Sequence, residues 1–93
     1  MSLKRQFSQF FELPEEIIMD APLVMLVDRH KLYLENHKGI ALYQENEIKI
    51  RLNSGFFLIF GSDLKIGGIE AEIIEVTGKI RSFEFREKDG EKS

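Results

Sequence analysis

Apolar and polar positions alternate along most of this chain with the period of two that marks β-strands. Ile48-Lys49-Ile50-Arg51-Leu52 is the cleanest case, apolar on one face and basic on the other. Residues 31–36, around Leu32 and Leu34, and residues 40–43 follow the same rule. Two runs depart from it by being apolar throughout: Leu23-Val24-Met25-Leu26-Val27, and Phe56-Phe57-Leu58-Ile59-Phe60 between the turn signals Asn53-Ser54-Gly55 and Gly61-Ser62-Asp63. Both read as strands covered on two faces. Further on, a short piece over 64–66 is halted by Gly67-Gly68. Residues 69–76 and 79–85 then read as two strands separated by Thr77-Gly78.

The apolar phase slips twice in this last third. Ile69, Ala71 and Ile73 share one parity, Ile74, Val76 and Ile80 the other, and Phe83 and Phe85 return to the first. A slip of one residue turns a strand over, so these points are bulges or corners. The expected fold is all-β: a compact, strongly bent antiparallel sheet, as a roll or small sandwich, because short sequential strands pair with their neighbours. Landmarks every five or six residues (Leu58, Leu64, Ile69, Ile74, Ile80, Phe85) leave a short β-solenoid as the alternative.

The ends read differently. Leu3, Phe7, Phe10 and Phe11 fall at helical spacing, a short amphipathic helix too brief to stand alone. Its face has three places to dock: its own domain, a partner or a membrane surface. Pro14-Glu15-Glu16 opens a second helical turn and Pro22 ends it. The chain thus divides into an N-terminal amphipathic, helical segment over 1–22, a β domain over 23–86 and a charged, disordered tail over 87–93.

Ninety-three residues make one domain. The chain has no cysteine, which removes disulfides, thiolate metal sites and cysteine nucleophiles. A net charge of −3 speaks against a nucleic-acid binder, which needs a concentrated basic surface. No run approaches the length of a membrane-spanning helix, and no apolar stretch follows the basic start Met1-Ser2-Leu3-Lys4-Arg5, so a cytoplasmic location is expected.

Candidate chemistry is sparse. Asp28 pairs with His30 and Glu35 with His37 by strand parity, and the four would form a metal site only if the two halves met across a turn. The bland reading is two histidines hydrogen-bonded near turns. Ser54, Ser62 and Thr77 sit at turns where hydroxyls bond the local backbone. Gly67-Gly68 lacks the context of a phosphate-cradling loop. The basic face of Lys49 and Arg51 is continued by Glu45 and Glu47 and reads as solvated. No catalytic residue, metal ligand or cofactor site is assigned. What remains is association: two strands that need cover on both faces point to a second copy or a partner, and a homo-oligomer is expected, with a small-ligand or metal-binding β module or a self-assembling polymer subunit as the alternatives.

The order of segments resembles the YabP/YqfC family of sporulation proteins, closest to its YqfC branch. Leu13-Pro14 with a helical turn, Met19-Asp20-Ala21-Pro22 and an apolar strand look like the family's opening. Leu32-Tyr33-Leu34-Glu35-Asn36-His37-Lys38-Gly39-Ile40 resembles the branch's signature, and Gly55, Gly61 and Gly78 fall where the family places them. The likeness runs from about residue 13 to residue 86. One departure is Asp28-Arg29, where relatives carry a Gly-Asn-type turn. The resemblance implies a non-enzymatic structural or adaptor role in endospore formation, a membrane-bound sporulation partner of the YqfD type, and a place on the mother-cell side of the forespore membranes. It supplies no catalytic residue or cofactor. The partner-binding residues expected are Phe7 and Phe10 of the N-terminal face and Glu35, Asn36, His37 and Gly39 of the signature turn. For Glu35, Asn36 and His37 a structural role is the alternative. Gly39 is expected to supply a backbone conformation other residues resist, and Asn36 to bond its own turn.

Overall fold

A computed structural model describes residues 21–70 and 72–88. The N-terminal helical segment, including Phe7 and Phe10, and the tail beyond residue 88 lie outside the described residues. Six strands form: β1 (Leu23–Val27), β2 (Lys31–Glu35), β3 (Ile40–Gln44), β4 (Glu47–Leu52), β5 (Gly55–Ile69) and β6 (Ile73–Glu87). They make one sheet in the order β1-β2-β6-β5-β4-β3, and every neighbouring pair is antiparallel.

The all-β, antiparallel expectation is met by this single sheet. The solenoid alternative is not: its rungs stack in parallel, whereas every ladder here is antiparallel. Two boundaries also differ. The piece over 64–66 is no separate strand, because β5 continues through Gly67-Gly68 to Ile69. Nor does Thr77-Gly78 separate strands. The reversal falls between Ile69 and Ile73, closed by Glu70 and Ile73 exchanging backbone hydrogen bonds of 2.8 and 3.3 Å. The glycines serve close approach inside the strands. Gly78 has φ +132°, and a Cβ there would strike the backbone of Asp63; a Cβ on Gly61 would strike the Lys79 carbonyl.

β5 and β6 form a long two-stranded ribbon, and it is folded over. Its register shifts between Phe60 and Gly61, between Ser62 and Lys65, and between Ile66 and Gly68, the bulges that let a sheet bend. The covalent geometry requires the bend. Glu72 adjoins the start of β6, while Arg51 lies in the same cross-strand row as Phe56 and Arg86 at its end. In a flat sheet those rows stand roughly 45 Å apart. Yet Asn36 N–H donates to the Glu72 carbonyl at 2.7 Å and Lys38 N–H to the Arg51 carbonyl at 2.8 Å. Two residues of chain reach at most about 7 Å. Only a sheet curled until its ends meet satisfies both bonds.

Curling creates the core. Leu32 and Leu34 of β2 with Ile74 and Val76 of β6 come from one end, and Ile48 and Ile50 of β4 with Phe57 and Ile59 of β5 from the other, all fully buried in one cluster. Leu64 and Ile80 fill the elbow. Each outer hairpin docks its turn there: the carbonyls of Arg29 and His30 accept from Ile80 and Gly78, and those of Glu45 and Asn46 from Leu64 and Gly61. The central run is fully covered on one face, with Phe57 and Ile59 at 0% exposure, and only in part on the other, where Leu58 is buried but Phe56 and Phe60 are half-buried. β1 is fully covered on neither: it forms the sheet's edge, and Leu26 and Val27 are exposed.

The elbow sets a test by paired substitution. Gly78→Ala places a Cβ against the Asp63 backbone in a left-handed conformation and is expected to lower stability by about 2 kcal/mol or more. Gly67→Ala meets only the movable end of Glu75, at 3.4 Å, and is expected to stay within about 1 kcal/mol of the parent. Thermal or urea unfolding of the two variants measures both.

Candidate functional site

Residues 36–39, the signature turn, are the link that joins the two ends of the curled sheet. Glu35 closes β2 with only 3% exposure, paired in register with Leu23 and Ile73. Asn36 takes the left-handed conformation, φ 76°, which its short polar side chain tolerates. Its Nδ2 donates to the Ala21 carbonyl at 3.3 Å, securing the approach to β1. Gly39 has φ 114°, the conformation anticipated for it, and its N–H donates to His37 Nδ1 at 3.0 Å. On the β4 side, Arg51 N–H donates to the Gly39 carbonyl at 2.8 Å and the Arg51 guanidinium to the Ile40 carbonyl at 2.9 Å. Lys38 is the exposed residue of the turn. Glu35, Asn36, His37 and Gly39 are therefore brought together: Asn36, His37 and Gly39 shape the closing turn, and Glu35 is buried at the end of the ladder that leads into it.

His37 carries an unresolved bond. Because Nδ1 accepts from Gly39, the neutral ring bears its proton on Nε2, and that nitrogen is buried with no hydrogen-bond partner among the described residues. Such a group costs about 1–3 kcal/mol of desolvation. His30, in the β1–β2 turn, sits beyond the opposite end of β2, so strand geometry keeps the two imidazoles roughly 20 Å apart along the chain direction. Among the described residues no group of three or more His, Asp or Glu side chains lies close enough to hold a metal ion.

The outer face of the elbow forms an open cleft of about 510 Å³, lined by Asp28, Arg29 and His30 of the first turn and by Ser62, Lys79 and Arg81 of the ribbon, among others. The left-handed residue of that turn is Asp28, φ 54°, and Arg29 does not take a positive φ. Asp28, His30 and Ser62 share the cleft without forming a nucleophilic relay. His30 Nε2 stands 3.6 Å from Asp28 Oδ2, beyond hydrogen-bond reach, both side chains are about 70% exposed, and no hydrogen bond joins His30 to Ser62. Across the β2–β6 ladder, Lys31 lies 3.2 Å from Glu75, and hydrogen bonding to that carboxylate first, then the charges of Tyr33 and Glu75, hold its pKa above the usual lysine value. An upward shift favours the protonated ammonium and makes Lys31 a poorer base and nucleophile at neutral pH. The cleft escaped the sequence reading because its walls are far apart in the chain and none carries a motif.

His37 offers a direct check on the turn. His37→Asn puts a carbonyl oxygen where Nδ1 accepts and removes the orphaned Nε2, so stability is expected to hold or rise. His37→Leu loses the acceptor for Gly39 N–H and is expected to cost about 1–2 kcal/mol, read by chemical unfolding.

No solved structure matches this chain. It is similar to the uncharacterized protein YqfC of Bacillus subtilis (strain 168), 35% identical over 78 residues, an alignment covering 84% of each chain. The family model described as the YabP family matches residues 20–92, which takes in every strand, the elbow and the closing turn, and the chain belongs to that family.

Proposed function

We propose that this protein is a non-enzymatic structural or adaptor module of endospore formation, which acts by contact with a membrane-bound sporulation partner of the YqfD type on the mother-cell side of the forespore membranes. The observation that carries the contact reading is the outer edge of β1. Among the described residues no strand pairs with that side of it. The strand has no charged residue, and Leu26 and Val27 are 43% and 51% exposed. An exposed edge without charges, proline or bulges lacks the devices that keep edges from pairing. It suits addition of an extended segment from another protein, with main-chain bonds supplying affinity and alternate side chains specificity. The same docking would finish the cover that the apolar run of β1 lacks within its own sheet.

The N-terminal residues Phe7 and Phe10 supply the second element of the reading, an apolar face for the partner or the membrane surface. The turn that holds Glu35, Asn36, His37 and Gly39 contributes to contact through exposed Lys38, while its other residues keep the adjoining end of β1 in place.

The test is purification of the tagged chain from sporulating Bacillus subtilis in which it replaces the organism's own YqfC. With detergent, a membrane protein is expected to co-purify from sporulating cells and not from vegetative ones. Leu26→Lys with Val27→Lys is expected to abolish that recovery while the far-ultraviolet circular dichroism of the chain stays unchanged. Phe7→Ser with Phe10→Ser is expected to release it from the membrane fraction. Recovery of the unaltered chain alone, in the soluble fraction, from both kinds of cell overturns the proposal.

A further inference from the structure

β6 loses its second neighbour halfway along. Its first half pairs with β2 as far as Thr77, and the β1–β2 turn takes the backbone N–H groups of Gly78 and Ile80. From Ser82 to Glu87 it pairs with β5 alone among the described residues, so its other side presents free backbone donors and acceptors. The corresponding stretch of β5 is closed off instead: Leu64 N–H donates to the Glu45 carbonyl and Ile66 N–H to the Tyr43 hydroxyl. Phe83 and Phe85 lie on the core face of this open half, their rings 5.6 and 4.9 Å from that of Phe57, yet they are 43% and 59% exposed. Glu84 and Arg86 occupy the opposite face, 2.7 Å apart and about half exposed.

We infer that this edge is where two copies of the chain meet, β6 against β6 and antiparallel, about a two-fold axis passing through Phe85. The edge is self-complementary in that register. Phe85 faces its own mate, and each Glu84 faces Arg86 of the second copy. Centring the pair on Glu84 or on Arg86 sets like charges opposite each other, which destabilises the pairing. Centring on Phe83 leaves Glu84 opposite Ser82 and forfeits both ion pairs. The charges that guard this edge against indiscriminate pairing thus select one partner, a second copy in one alignment. The interface is isologous and closes at two. The two curled sheets become continuous across it, and the exposed Phe83 and Phe85 of both copies extend one apolar face. A ladder of this length buries less than the roughly 1,200–2,000 Å² of a stable interface, so the dimer is weak, with dissociation on the order of micromolar. It requires neither the sporulation role nor the membrane partner.

Sedimentation of the full chain across a concentration series is expected to show mass rising from one protomer to two and no further. Glu84→Arg, which turns both intercopy ion pairs into repulsions, is expected to weaken the dimer by roughly ten- to a hundredfold. The double change Glu84→Arg with Arg86→Glu is expected to restore it. The chain has no native cysteine, so single cysteines report the register. Phe85→Cys is expected to cross-link into a dimer on oxidation. Phe83→Cys is not, since its two copies stand roughly 13 Å apart. A monomer at every concentration, growth beyond two, indifference to charge reversal, or cross-linking at 83 as readily as at 85 each overturns the inference.

Discussion

At the elbow of the β5–β6 ribbon, two backbones pass closer than a side chain allows. Gly61 lies against the Lys79 carbonyl and Gly78 against the backbone around Asp63, so each strand needs a glycine where it crosses the other's bend. The rest of the molecule follows from that crossing. A flat six-stranded sheet of this size would have no second layer to cover its apolar face. Bent at its middle, the same sheet supplies its own second layer, and Leu32 and Leu34 of one arm bury with Ile48 and Ile50 of the other. The outer hairpins reinforce the bend by bringing turn carbonyls to the backbone donors that the bulges expose. The arrangement has an internal regularity: each arm is a hairpin laid against the first half of a long strand, with its turn at the elbow and its far end toward residues 36–39.

The closing link explains why the signature turn has the residues it has. Asn36 and Gly39 take backbone conformations that most residues resist, and Arg51 grips the turn from β4 through main-chain and guanidinium bonds. One short link therefore holds both ends of the ribbon. His37 fits the geometry through Nδ1 at the expense of an Nε2 that has no partner among the described residues. Two of the open edges among the described residues, those of β1 and of the end of β6, are built on opposite principles. β1 is uncharged, whereas the end of β6 alternates aromatic rings with charges.

Much of this was legible in the sequence, for physical reasons that can be named. Leu32 and Leu34, and Ile48, Ile50 and Leu52, are buried at the alternate positions their spacing indicated. Of the two phase slips in the last third, the one between Ile80 and Phe83 marks a bulge, where Phe60–Gly61 faces Ser82–Ile80, and the other marks the corner between β5 and β6. The reversal between Ile69 and Ile73 was hidden because Glu70-Ala71-Glu72 contains neither glycine nor proline, while Gly67-Gly68 and Thr77-Gly78 carry the usual signals of a turn. Local chemistry could not tell a glycine that reverses the chain from one that lets another strand pass. Similarly, the run Leu23–Val27 has the composition of a buried strand, and only the strand order shows it to be an edge. The cleft depends on residues 28–30, 61–62 and 79–81, whose proximity is a product of the bend.

The strand order also has a consequence for synthesis on the ribosome. β3, β4, β5 and β6 pair each with the next as they emerge, while β2 has its inner neighbour in β6, some forty residues downstream. The first hairpin is thus made early and seated late. Until Ile73 and the residues after it have left the exit tunnel, Leu32 and Leu34 have no wall to pack on, and an uncharged β1 waits beside them. The nascent chain is at its most adhesive until β6 has emerged, and long-range pairing of this kind is the slow step for a chain whose other ladders are local.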